Sequence, residues 1–121
     1  MLFVQYPKCT TCKKAKAWLD AQNVPYASRN IKEEQPTLDE LTQWFNASGL
    51  PIKKFVNTSG LLYRSMGLKD KLPTMSDAQI LELLATDGML VKRPILVGEG
   101  FVLVGFKEDA WRAALEGSAQ E

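Results

Sequence analysis

Tyr6-Pro7-Lys8-Cys9-Thr10-Thr11-Cys12-Lys13-Lys14 contains both cysteines of the chain, separated by two residues. An apolar run, Leu2-Phe3-Val4-Gln5-Tyr6, leads into it. Ala15, Trp18, Leu19 and Gln22 follow at helical spacing, with lysines between them. A Cys-x-x-Cys between a strand and a helix start is a setting for redox chemistry. Backbone N–H groups at a helix start, and the helix dipole, favour negative charge on the first cysteine. Lys8, Lys13 and Lys14 add positive charge nearby. Together these features predict a Cys9 thiol more acidic than a free one. Cys12, one turn further on, is placed to attack a mixed disulfide formed at Cys9.

Other uses of two cysteines fit less well. Structural zinc takes four Cys or His ligands, and this chain has two Cys and no His. The lack of His also removes the imidazole base of a Cys–His hydrolase. A purely structural disulfide here would close a very small loop and remove little chain entropy. Two buried structural thiols are the bland alternative.

A chain of 121 residues with 45% hydrophobic content suits one domain, 1–121, with a substantial core. A net charge of +1 argues against direct nucleic-acid binding by charge. No basic n-region with a long apolar run opens the chain, and no apolar stretch approaches membrane-spanning length. Neither a signal peptide nor membrane association is expected, and the two cysteines then point to a reducing, cytoplasmic location.

Residues 2–6, nearly all apolar, read as a central strand covered on both faces. A helix from 10 or 11 stops near Asn23, before Pro25. Residues 24–30 read as a second strand, parallel to the first. A helical block, about 36–88, then interrupts the unit. Thr37 and Glu40 form a capping box, Leu38, Leu41, Trp44 and Phe45 supply an apolar face, and Gly49 ends the helix. Residues 52–56 suggest a helical turn, with Lys53-Lys54 on a solvated face. Ser59 is a candidate cap for a short helix through Leu61, Leu62 and Met66 that ends at Gly67. Ser76 and Gln79 form a second capping box, and Asp87-Gly88 closes the block. Residues 95–97 and 101–104 then flank a three-residue hairpin loop, Gly98-Glu99-Gly100. A last helix covers 107–115, and the tail 116–121 is expected to fray. Trp18, Trp44 and Trp111 belong on apolar helix faces. The order βαβ, helical insertion, ββα is that of an α/β, thioredoxin-like fold.

In such a fold the proline opening the third strand lies beside the cysteine loop and is commonly cis. This position falls on Pro94, so a cis Arg93–Pro94 bond is expected. Arg93 would then offer a guanidinium fork to an anion or thiolate at the site. Its plain alternative is a solvated arginine ahead of a strand.

These residues carry a resemblance. The stretches 6–19, 53–60 (Lys-Lys-Phe-Val-Asn-Thr-Ser-Gly), 87–95 (Asp-Gly-Met-Leu-Val-Lys-Arg-Pro-Ile) and 104–108 (Val-Gly-Phe-Lys-Glu) resemble, in order, the arsenate reductase-like (ArsC/Spx/MgsR) branch of the thioredoxin-like fold. The likeness is to its short CxxC-containing members. It implies a nucleophilic cysteine at Cys9 and the arginine before a cis-proline at Arg93. Two further arginines of the glutaredoxin-linked arsenate reductases fall on Asn57 and Phe106. Those reductases lack a cysteine at the position of Cys12, whereas Spx-type regulators carry one as a redox switch and bind the α subunit of RNA polymerase.

Three functions follow as expectations. One is a thiol–disulfide oxidoreductase in which Cys9 attacks, Cys12 resolves and Arg93 positions an anionic group. Lys8, Thr10, Thr11 and Pro94 would help shape the site. No cofactor is expected beyond a thiol reductant or redox protein, such as glutathione or thioredoxin. The second is a redox-sensing partner of RNA polymerase, and the third is arsenate reduction.

Overall fold

In the computed structural model, which describes residues 1–119, four strands form one sheet in the order β2-β1-β3-β4. They are β1 (Leu2–Gln5), β2 (Ala27–Asn30), β3 (Ile95–Gly98) and β4 (Phe101–Val104). β1 pairs with β2 in parallel and with β3 antiparallel, and β3 pairs with β4 antiparallel. The apolar run therefore does lie inside the sheet. Its alternation sends successive side chains to opposite faces. Phe3 joins one buried cluster with Ala15, Leu19, Leu96 and Trp111, while Val4 joins the other with Ile31, Leu41, Phe55 and Ile95.

The first cluster is covered by helices α1 (Thr10–Ala21) and α6 (Glu108–Ala119). The second lies under the helical block: α2 (Leu38–Ser48), α3 (Leu61–Ser65), α4 (Leu68–Lys71), α5 (Asp77–Leu84) and three short 3-10 turns. Both capping boxes form, Thr37 with Glu40 and Ser76 with Gln79. The block returns to the sheet where Val56 bridges Val91. A Cβ on Gly88 would lie 1.8 Å from the Ile31 carbonyl oxygen, so only glycine fits where the block's exit crosses its entry.

Several expectations are corrected. β2 begins at Ala27 rather than 24. The hairpin loop is two residues, Glu99-Gly100, because Gly98 pairs with Phe101. Gly100 supplies the positive φ, 84°, of that tight turn. Leu38 is exposed rather than packed, at 40%, and Gln22 is exposed at the end of α1. Ser59 does not cap α3; Gly60 holds that position. α3 does stop before Gly67, as expected, and α4 and a 3-10 turn at Leu72–Thr74 follow directly. α6 continues through residues expected to fray, and Gln120 and Glu121 lie outside the described residues. Among the described residues no helix is long and apolar enough to cross a membrane.

Candidate functional site

Pro7 ends the β1 run, and the chain turns sharply through Lys8 into α1. The turn is closed by the Cys9 N–H, which donates to the Tyr6 carbonyl at 2.9 Å. Cys9 is thereby set at the N-cap of α1, with extended backbone, and is partly exposed. Cys12 lies one turn inside and is 1% exposed. Its position follows from helical spacing: Cys12, Ala15 and Leu19 form the buried stripe of α1. Both are free thiols.

The two sulfurs differ sharply in acidity. Partial burial pushes the Cys9 thiol up, but other groups outweigh it and hold its pKa below the ordinary 9.0. The Cys12 N–H faces the Cys9 sulfur, although too openly to count as a capping hydrogen bond. The Cys12 thiol and the Arg93 guanidinium also favour the Cys9 thiolate. Cys12 moves the other way. Burial is the main cause, the negative charge of Cys9 adds to it, and its pKa is pushed up to about 12. The Tyr6 N–H, 3.5 Å from the Cys12 sulfur, opposes this only in part.

Arg93 comes from the far end of the chain. The Arg93–Pro94 bond is cis, as the fold placement predicts. The buried Pro94 is held by its carbonyl, which accepts the Gly105 N–H at 2.8 Å. The Arg93 guanidinium carbon lies 5.2 Å from the centroid of the Tyr6 ring, a cation–π contact. Its Nε and Nη1 are buried and have no hydrogen-bond partner. The site thus presents an acidic thiol beside a guanidinium with unused donors.

The other expected residues are placed less centrally. Lys8, Thr10, Lys13 and Lys14 are exposed, and the acidity of Cys9 arises at Cys12 and Arg93 instead. Water screens charges held that far out. Thr11 lines a cavity of about 540 Å³ beside the site. Tyr6 is the residue that sequence reasoning missed: it fixes Cys9 through its carbonyl, Cys12 through its N–H, and Arg93 through its ring. Its place directly before Pro7 at the strand end was the only available signal.

The two positions that carry arginine in the glutaredoxin-linked arsenate reductases do structural work here. The Asn57 side chain donates to the Met89 carbonyl at 3.3 Å. The Phe106 ring packs edge-on to Trp111, centroids 5.0 Å apart, and tilted against Trp18. Among the described residues no group of three or more His, Cys, Asp or Glu side chains could hold a metal ion.

Comparison with known proteins agrees with this architecture. The model of the ArsC family matches residues 4–114. The protein named uncharacterized protein YusI, from Bacillus subtilis, is 50% identical over 109 residues, covering 90% of this chain and 92% of its own. The global transcriptional regulator Spx of Listeria innocua is 33% identical over 110 residues, covering 90% and 82%. A crystal structure described as an ArsC-family-related protein, from Bacteroides fragilis, superposes with a TM-score of 0.91 at 54% identity, covering 93% and 94%.

Proposed function

The chain belongs to the ArsC family, and on that premise we propose that it is a thiol–disulfide oxidoreductase working through Cys9 and Cys12. One observation carries the reading. The partly exposed N-terminal thiol is acidified, while its neighbour one turn in is buried and held neutral. That asymmetry is what an attacking and a resolving cysteine require.

The Cys9 thiolate attacks one sulfur of a substrate disulfide, forms a mixed disulfide, and expels the other half as a thiolate. Once Cys9 is bonded its charge is gone, and with it one of the influences that keep Cys12 protonated. Cys12 then loses its proton to solvent and attacks the Cys9 sulfur. The remaining half leaves as a second thiolate, and the protein holds a Cys9–Cys12 disulfide. Two electrons have passed to the substrate. A thiol reductant, glutathione or thioredoxin in class, returns them. Arg93 favours the Cys9 thiolate, and its positive charge draws an anionic group of the substrate to the site.

The test is reduction of a simple disulfide with thioredoxin or glutathione as electron source. Cys9→Ser abolishes turnover, and Cys12→Ser accumulates the mixed disulfide at Cys9. A wild-type protein inert with every thiol reductant removes the proposal.

The likeness to Spx favours a second reading, in which the same disulfide switches binding to the RNA polymerase α subunit. Redox-dependent capture of purified polymerase without thiol turnover would select it. Arsenate reduction is the weakest reading. An arsenate dianion would meet Arg93 alone, because Asn57 and Phe106 occupy the other arginine positions and are engaged elsewhere.

A further inference from the structure

The chain nearly balances its charges, with 15 basic and 14 acidic residues, yet they are not evenly spread around the cysteines. The cavity of about 540 Å³ begins at Thr11, two residues from Cys9, and takes in Leu50, Lys54, Lys92, Gly105 and Lys107. A second cavity of about 460 Å³ adjoins it, sharing Lys54 and Lys92 and adding Lys53 and Thr58. No Asp or Glu lines either one. Among the described residues none of these four lysines forms a salt bridge; Glu108 and Asp109, which follow Lys107, are paired with Arg112, and Glu108 also accepts from Trp18. Lys92 is held over the floor, its Cε 3.6 Å from where a Gly105 Cβ would stand. Arg93, the next residue, interacts with the Cys9 sulfur.

We propose that these two cavities form one track that docks an extended acidic segment of a protein substrate, bringing that substrate's disulfide to Cys9. The inference deepens the oxidoreductase reading and rests on it. Charge complementarity gives the sign of the ligand: four unpaired lysines and no carboxylate suit a run of Asp or Glu. Shape gives its class. The two cavities, about 540 and 460 Å³ and joined at Lys54 and Lys92, offer more room than one small thiol would fill. One wall is β4, the outer strand, which pairs only with β3 and leaves a strand edge against which an extended chain can lie. Partly exposed Leu50, Leu103 and Phe106 line the first cavity together with the lysines, so the segment carries apolar as well as acidic residues.

The test uses three labelled peptides of equal length with Ser in place of Cys: Asp/Leu alternating, Asn/Leu and Lys/Leu. Binding to the full-length reduced protein is read by fluorescence anisotropy. The acidic peptide binds about tenfold tighter than the Asn peptide at low salt, the sum of a few exposed charge pairs, and the advantage shrinks as salt rises. Lys54→Glu and Lys92→Glu each reduce that advantage severalfold. Lys54→Gln gives a smaller change of the same sign, and Lys32→Glu, outside the track, leaves the advantage in place. Equal affinity for the Asp and Asn peptides, or an advantage untouched by the Lys54 and Lys92 changes, overturns the proposal.

Turnover of the Cys-containing peptides, each joined by a disulfide to a chromogenic thiol, separates the two claims. Equal kcat/KM for acidic and neutral peptides refutes the track and leaves the oxidoreductase intact. Acid-selective binding with no turnover of any disulfide refutes the oxidoreductase and leaves the track. If the small dianion dithiodiglycolate gains the same selectivity over hydroxyethyl disulfide as the acidic peptide gains over its neutral twin, the polypeptide assignment falls.

Discussion

Alkylation of the two thiols tests the asymmetry on which the site depends. At about pH 7 a thiol that titrates at about 12 is ionised in roughly one molecule in 10⁵, whereas one at the ordinary 9.0 is ionised in roughly one in 10². Cys9 lies below that ordinary value, so its thiolate outnumbers that of Cys12 by at least about a thousandfold. Lower basicity makes Cys9 intrinsically less nucleophilic, by about thirtyfold over three pKa units. Iodoacetamide should still modify Cys9 at least about thirtyfold faster. The burial of Cys12, 1% exposed, widens the ratio further. Quenched time points, digestion and mass spectrometry of the 6–14 region give the two rates. Cys9→Ser should also speed modification of Cys12, since the Cys9 charge helps keep that proton in place. Rates within threefold of each other, or Cys12 ahead, would mean that the helix start does not activate Cys9, and the proposed division of labour would fail.

Three further outcomes are expected. Arg93→Ala moves the pH profile of Cys9 alkylation upward, because a group favouring the thiolate is gone, with little change in Tm, because two of the lost donors had no partner; an unmoved profile would deny Arg93 its role. Glu40→Gln costs about 1 kcal/mol in urea unfolding near pH 7: Arg29, at 2.6 and 2.9 Å, depresses the Glu40 pKa below 4.5. The sign follows from that depression. The stability is present above 4.5 and lost as pH falls through the folded value, so the gap between variant and wild type should close in acid. Gly88→Ala should cost about 1–3 kcal/mol or more, since the new Cβ meets backbone rather than a movable side chain; an unchanged urea midpoint would show that the crossing at Ile31 is loose.

Much of the fold was legible because local signals agreed. The continuous apolar run of β1 marked a central strand, the two Ser/Thr capping boxes fixed where α2 and α5 begin, and the Ala15–Leu19 stripe oriented α1. What failed needed information from elsewhere in the chain. Leu38 has the right spacing for a core face, but the neighbouring elements do not extend over it. Gly67, with φ 63°, reads as a terminator, although it also serves as the turn into α4. At the site, Cys9, Cys12, Arg93 and the cis-proline were placed by motif and fold order. The source of the acidity was misassigned to Lys8, Lys13 and Lys14, because sequence proximity hides how strongly water weakens exposed charges. Lys53-Lys54 read correctly as solvated, yet only three dimensions join them to Lys92 and Lys107.

The pairing of β1 with β3 also bears on how the protein is made. Leu2 meets Val97, so the centre of the sheet cannot close until β3 has left the ribosome, and contacts this distant form late and slowly. Arg93 reaches Cys9 only through that closure. Until then the first cysteine lacks the guanidinium that favours its thiolate. The event that completes the sheet is thus also the one that sets Arg93 beside Cys9.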